Sequence, residues 1–331
     1  MNHPILANRA LGILSAYIDQ RTDITTWFIP SNVCFSLPFL VISKNKHLEM
    51  FDFGFTSEII LKKIKEQKQP NTGIVLVNHF GMSWTQEEVQ SLSPYFNSVI
   101  IDACLSPPET HLPKSCNSDL LIFSTGKGKF VDLGYGAIGY CKVPLTIQPS
   151  SHPSQIEIHR RYEWLESFWK MALAGGSVVD YSEVRKLPWI DDGAEKLTNG
   201  ESYFSQVVQQ SSLEWNHRNT LNEIYQAIIG PDLAWNSKAN LWRYHLWVDK
   251  PEIVINALFD NGLFASRHYP NGAKRLGVSG SFESAELLEN HIINLFNSTQ
   301  VNSDFAEKCS QVVSRLLSSG KVKPASRKPI F

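Results

Sequence analysis

Three ionisable side chains lie just beyond two apolar runs, where they could act on a bound group. Lys127 and Lys129 lie in a glycine-rich segment after the run Leu120–Phe123, and Asp102 ends the run that begins at Ser98. Such runs predict short buried strands, and ligands of open α/β sheets bind at the carboxyl ends of the strands. A lysine that can form a Schiff base and an aspartate that can keep a pyridine nitrogen protonated suit pyridoxal phosphate. Taken alone, Asp102 is better explained as a helix cap or a salt-bridge partner.

The segment around the lysines carries a motif of fixed spacing. Its members are Ser124, Lys129, Asp132, Gly134 and Gly136. This motif resembles the cofactor-lysine segment of the DegT/DnrJ/EryC1/StrS aminotransferases, which have the aspartate-aminotransferase fold, fold type I. Further segments resemble the family in the same order: Ile29–Cys34, Met50–Gly54, Val77–Gly81, Ile100–Cys104, Asn261–Pro270 and Asn290–Asn297. Their order and spacing, more than any single motif, carry the resemblance over most of the chain.

The resemblance implies an α/β fold of two domains. Residues 1–220 would form a large PLP-binding domain with a mixed, mostly parallel sheet between helices, and residues 221–331 a smaller C-terminal α/β domain. The alternation of strand and helix patterns in the first half of the chain independently favours a parallel or mixed sheet. At 331 residues the chain is long enough for two domains of unequal size.

Apolar periodicity predicts several amphipathic helices. Three of them span Ala7–Ile18, with Asn8 as the N-cap, Tyr162–Ala174 and Ser284–Phe296. The last of these overlaps the stretch Asn290–Asn297, which the family resemblance assigns to a strand of the small domain.

The resemblance assigns the catalytic roles to two residues. Lys129 would hold the cofactor aldehyde, and Asp102 would pair with the pyridine nitrogen. The spacing from Ser124, which would bind the cofactor phosphate, selects Lys129, whereas a tighter spacing found in other fold-type-I enzymes would select Lys127. The lysine that is not used would be a solvent lysine or a second phosphate contact.

The remaining cofactor contacts would come from two earlier segments. By resemblance, Asn8, Arg9 and Ala10 lie at the helix start that holds the phosphate through backbone N–H groups and the helix dipole. Arg9 could also pair with the phosphate directly, or lie in solvent. Either Cys34 or Phe35 would stack on the pyridine ring; Phe35 is the stronger platform, and Cys34 is the better alignment.

Contacts to the substrate are predicted more weakly. The candidates are His79, Arg267 and Tyr269, and each could instead have a structural or surface role. Asn216 is a weaker candidate still, for a phosphate contact across a subunit interface. The family's usual Gln is replaced by Leu105, its Gly-Tyr-Asn-Tyr-Arg-like motif has no clean copy, and fewer residues precede the first helix. A catalytically silent binding or regulatory paralogue therefore stays open, as do lyase or dehydratase chemistry and transfer to a non-sugar carbonyl.

Composition narrows the function class. The net charge is −1, 19% of residues are charged and no basic stripe is present, which disfavours nucleic-acid binding. No apolar run is long enough to predict a membrane span. The five cysteines show no zinc-ligand spacing, so we expect no metal site and a reduced, cytoplasmic protein. The resemblance implies a homodimer with active sites near its interface. It also implies transfer of an amino group, with glutamate as the expected donor and a nucleotide-linked keto-sugar as the acceptor, in polysaccharide or secondary-metabolite biosynthesis.

Overall fold

The computed structural model describes residues 4–52, 54, 57–66, 70–111, 117–147, 163–164, 167, 196–197, 199–235 and 241–326. Within these ranges the chain forms a seven-stranded mixed sheet and a three-stranded antiparallel sheet, both packed against helices. The predicted helix Tyr162–Ala174 lies almost entirely outside the described residues and stays a prediction.

The large sheet has the strand order β1-β7-β6-β5-β4-β2-β3. Its strands are β1 Pro4–Ala7, β2 Thr26–Pro30, β3 His47–Phe51, β4 Thr72–Val77, β5 Ser98–Asp102, β6 Leu120–Ser124 and β7 Ala137–Cys141. Strands β2 to β6 pair in parallel, while β7 runs antiparallel to both β6 and β1. Every residue of β2, β4, β6 and β7 is buried, which explains why these strands appear in the sequence as continuous apolar runs.

Nine helices of four residues or more lie in the described part of the chain. They are α1 Ala10–Gln20, α2 Ser36–Ser43, α3 Ser57–Glu66, α4 Gln86–Leu92, α5 Gly200–Ile229, α6 Pro251–Asp260, α7 Gly272–Arg275, α8 Glu283–His291 and α9 Ser303–Ser318. Local signals explain some of their ends. Thr85 and Glu88 form a capping box at the start of α4, and α6 begins with Pro251 at its first position. None of these helices combines the length and apolar character needed to cross a membrane.

The start of the first predicted helix is wrong. Pro4–Ala7 forms β1, which pairs antiparallel with β7 so that Ala7 lies opposite Ala137. Helix α1 begins only at Ala10, and its N-cap is Arg9 rather than Asn8. Of the predicted helix, only Ala7 belongs to this strand, where β7 offers a partner to its backbone, and the helix starts three residues later.

The end of the helix predicted over Ser284–Phe296 is also wrong. Helix α8 ends at His291, and Ile292–Leu295 forms β10, between β8 (Tyr244–Trp247) and β9 (Ala265–Ser266). Hydrogen bonds on both sides stabilise this buried, β-branched stretch as a strand. The strand that the family resemblance assigned to this stretch is therefore confirmed.

Helix α5 packs on both parts of the fold. Near its start, Tyr203 and Val207 pack with side chains of β6 and β7. Near its end, Leu221, Tyr225 and Ile229 belong to the core beneath the small sheet. The proposed domain boundary between residues 220 and 221 falls inside this helix, and the division remains a proposal.

Candidate active site

The carboxyl ends of β4, β5 and β6 form one edge of the large sheet. Asp102, the last residue of β5, is in register with Val77 on β4 and Ile122 on β6. Ser124 ends β6 two residues beyond Ile122. Neighbouring strands lie about 4.8 Å apart, so Asp102 at the end of β5 lies close to the start of the segment that follows Ser124 on β6.

The lysine loop, residues 125–136, connects β6 to β7. The carboxylate of Asp132 accepts hydrogen bonds from the N–H groups of Gly128 at 2.8 Å and Gly134 at 3.0 Å. Both glycines have positive φ angles, 74° and 77°, a conformation that favours glycine. Lys129 is half-buried in this loop, whereas Lys127 is exposed. Asp132, Gly128 and Gly134 therefore shape the loop, and the two lysines in it lie in different environments.

Asp102 and Lys129 both act on the half-buried thiol of Cys104. Burial raises the pKa of this thiol well above its ordinary value, the charge of Asp102 raises it further, and the charge of Lys129 opposes the change. The carboxylate of Asp102 also accepts the N–H of Cys104 at 2.9 Å. The charges of Asp102 and Lys129 therefore both influence one thiol at this edge of the sheet.

The start of α1 lies beside the end of β6. Gly136 joins them, because its N–H donates to Asn8 O at 2.7 Å and its carbonyl accepts the N–H of Thr125 at 3.0 Å. Arg9 is exposed, and its side chain makes no capping hydrogen bond to the helix. The first turn of α1, which includes Ala10, can therefore present backbone N–H groups to an anion. The Ser124 hydroxyl, which accepts the N–H of Gly126 at 3.2 Å, completes this candidate phosphate site.

The structure separates the two candidates for ring stacking. Cys34 is exposed after β2, whereas Phe35 is buried in the core and stacks on Phe39 with a centroid distance of 5.8 Å. Of the two, only Cys34 is in a position to meet a ligand.

His79 and Tyr269 are both buried close to Asp102. Burial lowers the pKa of His79 to about 4, so its ring is neutral at pH 7. Its ring nitrogens contact backbone carbonyls, Nε2 to Asn32 O at 2.6 Å and Nδ1 to Val77 O at 3.1 Å. Burial also raises the pKa of the Tyr269 phenol, and the charge of Asp102 contributes. The phenol therefore stays protonated at neutral pH.

Arg267 and Asn216 differ from His79 and Tyr269 in what surrounds them. The guanidinium of Arg267 donates to the carbonyl oxygen of Glu289, and Asn216 is exposed on α5. Neither is joined to the sheet edge by the contacts of the described residues. Their proposed substrate roles stay hypotheses.

Sequence reasoning missed two residues that bind the lysine loop. Trp242 donates its indole N–H to Gly128 O, and Arg218 donates to Phe130 O. The available signal was the pair Glu214 and Arg218 at i and i+4 on α5, a spacing that allows a side-chain ion pair. Across the described residues, no group of three His, Cys, Asp or Glu side chains is arranged to hold a metal ion.

Known structures show how this architecture is used elsewhere. No protein-family model and no curated protein matches the sequence. Helicobacter pylori PseC, an aminotransferase of pseudoaminic acid biosynthesis, is 14% identical with a TM-score of 0.67, over 96% of this chain and 88% of its own. A DegT DnrJ EryC1 StrS aminotransferase from Brucella abortus is 13% identical with a TM-score of 0.65, over 95% and 86% of the two chains.

The structure of DesI with its TDP-sugar product gives a third match, 14% identical with a TM-score of 0.68, over 97% of this chain and 82% of its own. Such low identities establish the architecture of the chain. The chain therefore has the fold of the PLP-dependent aminotransferases, with a mostly parallel seven-stranded sheet and a smaller C-terminal α/β part.

Proposed function

We propose that this chain is a pyridoxal-phosphate-dependent aminotransferase. One observation carries the proposal: a single sheet edge gathers the carboxylate of Asp102, the hydroxyl of Ser124, the start of α1 and the loop of Lys129. The cofactor needs a carboxylate at its pyridine nitrogen, hydrogen-bond donors at its phosphate and an amine at its aldehyde. Its ring would lie beside Cys34, which the structure leaves exposed.

The reaction divides between the cofactor and the chain. When bound, pyridoxal phosphate supplies an electron sink for negative charge at the α-carbon of an amino acid. Lys129 would hold the cofactor through its aldehyde and, once an amino donor has released the lysine, its amine would move a proton between the donor α-carbon and the cofactor C4′. Asp102 would keep the pyridine nitrogen protonated. Burial keeps the Tyr269 phenol protonated, so it would be available as a hydrogen-bond donor.

The proposed substrates follow from the proteins that this chain resembles. The donor would be glutamate, and the acceptor a nucleotide-linked keto-sugar used in polysaccharide or secondary-metabolite biosynthesis. PseC takes part in the biosynthesis of pseudoaminic acid, and DesI has been solved in the presence of its TDP-sugar product; both similarities support a sugar acceptor. A cytoplasmic homodimer with active sites near its interface completes the proposal.

The first experiment measures visible absorption after pyridoxal phosphate is added to the wild type, Lys129→Ala and Lys127→Ala. Covalent binding to a lysine gives a visible band, and glutamate should bleach it as the amino group is transferred. Borohydride reduction followed by peptide mass spectrometry then identifies the modified lysine. We expect the band and the modification to be lost only in Lys129→Ala. Nucleotide-linked keto-sugars, compared with simple keto acids, should then restore the band.

Other results would change the proposal in defined ways. Loss of the band only in Lys127→Ala would keep the enzyme and move the reactive lysine. No band in the wild type would contradict the catalytic proposal and leave a protein that uses this fold for binding. A band that glutamate does not bleach would point to lyase or dehydratase chemistry or to another donor.

A further inference from the structure

Two side chains from other parts of the fold hold the lysine loop at its backbone carbonyls. Trp242 Nε1 donates to Gly128 O at 2.8 Å, and Arg218 Nη2 donates to Phe130 O at 3.0 Å. The carbonyl of Gly128 belongs to the peptide unit that joins it to Lys129, and the carbonyl of Phe130 belongs to the peptide unit that joins it to Val131. Because a peptide unit is planar, fixing both units restricts the backbone rotations left to Lys129. We name Arg218 and Trp242 the carbonyl clamp.

The two clamp residues are also bound to each other. Arg218 Nη1 donates to the backbone carbonyl of Trp242 at 2.5 Å and to Asn297 Oδ1 at 2.8 Å. The guanidinium carbon lies 4.7 Å from the centroid of the Phe130 ring. One buried side chain therefore joins α5, the segment before β8 and the lysine loop.

Burying this charge has no evident advantage for stability alone. Arg218 and Glu214 are each 2% exposed and lie 3.0 Å apart. Burial lowers the pKa of Arg218 to about 10, and Glu214 opposes the change, so the guanidinium stays charged at neutral pH. A buried ion pair is often no more stabilising than apolar residues of the same volume. Stability alone therefore does not account for the buried Arg218, whereas its hydrogen bond to the lysine loop gives it a role.

The indole of Trp242 is itself held in place. It stacks on Tyr269 with a centroid distance of 6.3 Å and an interplanar angle of 8°. The guanidinium carbon of Arg243 lies 4.9 Å from its ring centroid. This packing fixes the direction in which the indole N–H points towards Gly128 O. The indole also connects the lysine loop to Tyr269, whose pKa is influenced by the charge of Asp102.

We propose that the carbonyl clamp positions Lys129 for its reaction with the cofactor aldehyde. This inference rests on the proposed function. Arg218 and Trp242 bind the backbone around Lys129, so they are positioning residues rather than catalytic ones. Weakening the clamp should leave the amine present and slow its reaction.

The test uses Trp242→Phe, which removes the indole N–H and keeps an aromatic ring, and Arg218→Lys, which keeps the charge beside Glu214 but loses the planar, branched donor. Trp235→Phe is the matched control for Trp242, because Trp235 is 4% exposed, against 5%, and packs on Phe80 and Trp247. Arg275→Lys is the control for Arg218, because Arg275 is buried and pairs with Glu289.

Two measurements separate positioning from general destabilisation. Hydrogen–deuterium exchange of the peptide covering residues 125–136, without cofactor, should be faster in both clamp variants than in both controls. The rate at which the visible band forms with pyridoxal phosphate should fall about fivefold in Trp242→Phe, the effect of one lost hydrogen bond. Unfolding midpoints should fall by similar amounts in Trp242→Phe and Trp235→Phe.

The outcomes are distinct. A wild-type band with the same formation rate and loop exchange in all four variants would overturn this inference and leave the proposed function intact. Equal slowing in clamp and control variants would also overturn it, since a structural effect would then suffice. No band in the wild type would overturn the proposed function and this inference with it.

Discussion

The carboxylate of Asp52 accepts a hydrogen bond from the backbone N–H of Ala285 at 2.9 Å, across 233 positions of sequence. Its other oxygen accepts the N–H of Ser284, also at 2.9 Å. The local N-cap of α8, Phe282, makes no side-chain capping bond. A residue that follows β3 of the large sheet therefore caps a helix of the C-terminal part.

Removing this cap should destabilise the fold. We expect Asp52→Ala to lower the free energy of unfolding by about 1–2 kcal/mol, as for other lost helix caps, in urea titrations. Asp304→Ala is the control, because Asp304 lies in the first turn of α9 but is exposed and pairs with exposed Lys308. That change should cost less than about 1 kcal/mol. Equal costs would contradict the assigned role of Asp52.

Asp102→Asn should separate cofactor binding from catalysis. The amide can still accept the N–H of Cys104, so the visible band with pyridoxal phosphate should form. It cannot keep the pyridine nitrogen protonated, so bleaching by glutamate should slow by about a hundredfold or more. Asp119→Asn is the control, since Asp119 binds Val99 N–H and Lys142 at the opposite end of these strands. Normal bleaching in Asp102→Asn would exclude Asp102 from the reaction.

Two glycines of the motif should differ in their tolerance of alanine. At Gly136, φ is 96°, and a Cβ would lie 2.5 Å from Tyr203 Cε2 and 2.6 Å from Thr125 Oγ1. At Gly134, φ is 77° and nothing lies within 4 Å of the added atom. We expect Gly134→Ala to cost about 1 kcal/mol, from the left-handed backbone alone, and Gly136→Ala at least about 2 kcal/mol more. Equal costs in chemical denaturation would show that steric crowding at Gly136 is unimportant.

His79 should make folding sensitive to acid. Its pKa is about 4 in the folded chain and near 6.5 when unfolded, so between these values the unfolded chain binds more protons. The contribution of neutral His79 to the free energy of unfolding is therefore complete above pH 6.5 and is lost as the pH falls towards 4. The free energy of unfolding should fall by about 3 kcal/mol over this range. His79→Gln should lose less stability than the wild type between pH 7 and pH 4.5. His47→Gln, at an exposed position, should behave like the wild type, and an unchanged slope in His79→Gln would contradict the prediction.

Cys34 should be the most reactive of the described cysteines. It is exposed, whereas burial raises the pKa of the Cys104, Cys141 and Cys309 thiols. Iodoacetamide should modify Cys34 first in the folded chain, as followed by peptide mass spectrometry, and bound pyridoxal phosphate should slow this modification. Cys34→Ser should remove the fast phase. Labelling of Cys34 that is unaffected by the cofactor would show that the pyridine ring lies elsewhere.

Local patterns in the sequence determined much of the large sheet. The strand from Ser98 to Asp102 has the predicted bounds, and the strand predicted over Leu120–Phe123 extends by one residue. A strand buried on both faces must be apolar along its whole length, so its position can be found without knowing its neighbours. Asp132 and Gly134 were singled out through the family resemblance, and the structure shows that Asp132 binds the N–H groups of Gly128 and Gly134, which lie within four residues of it.

Tertiary structure alone decided the features that depend on distant partners. Pairing with β7 made a strand of Pro4–Ala7, and pairing on two sides made a strand of Ile292–Leu295. Packing in the core buried Phe35 and left Cys34 exposed. The carbonyl clamp joins residues 88 and 114 positions apart. No local pattern encodes such contacts, because backbone pairing and burial depend on which segments the folded chain brings together.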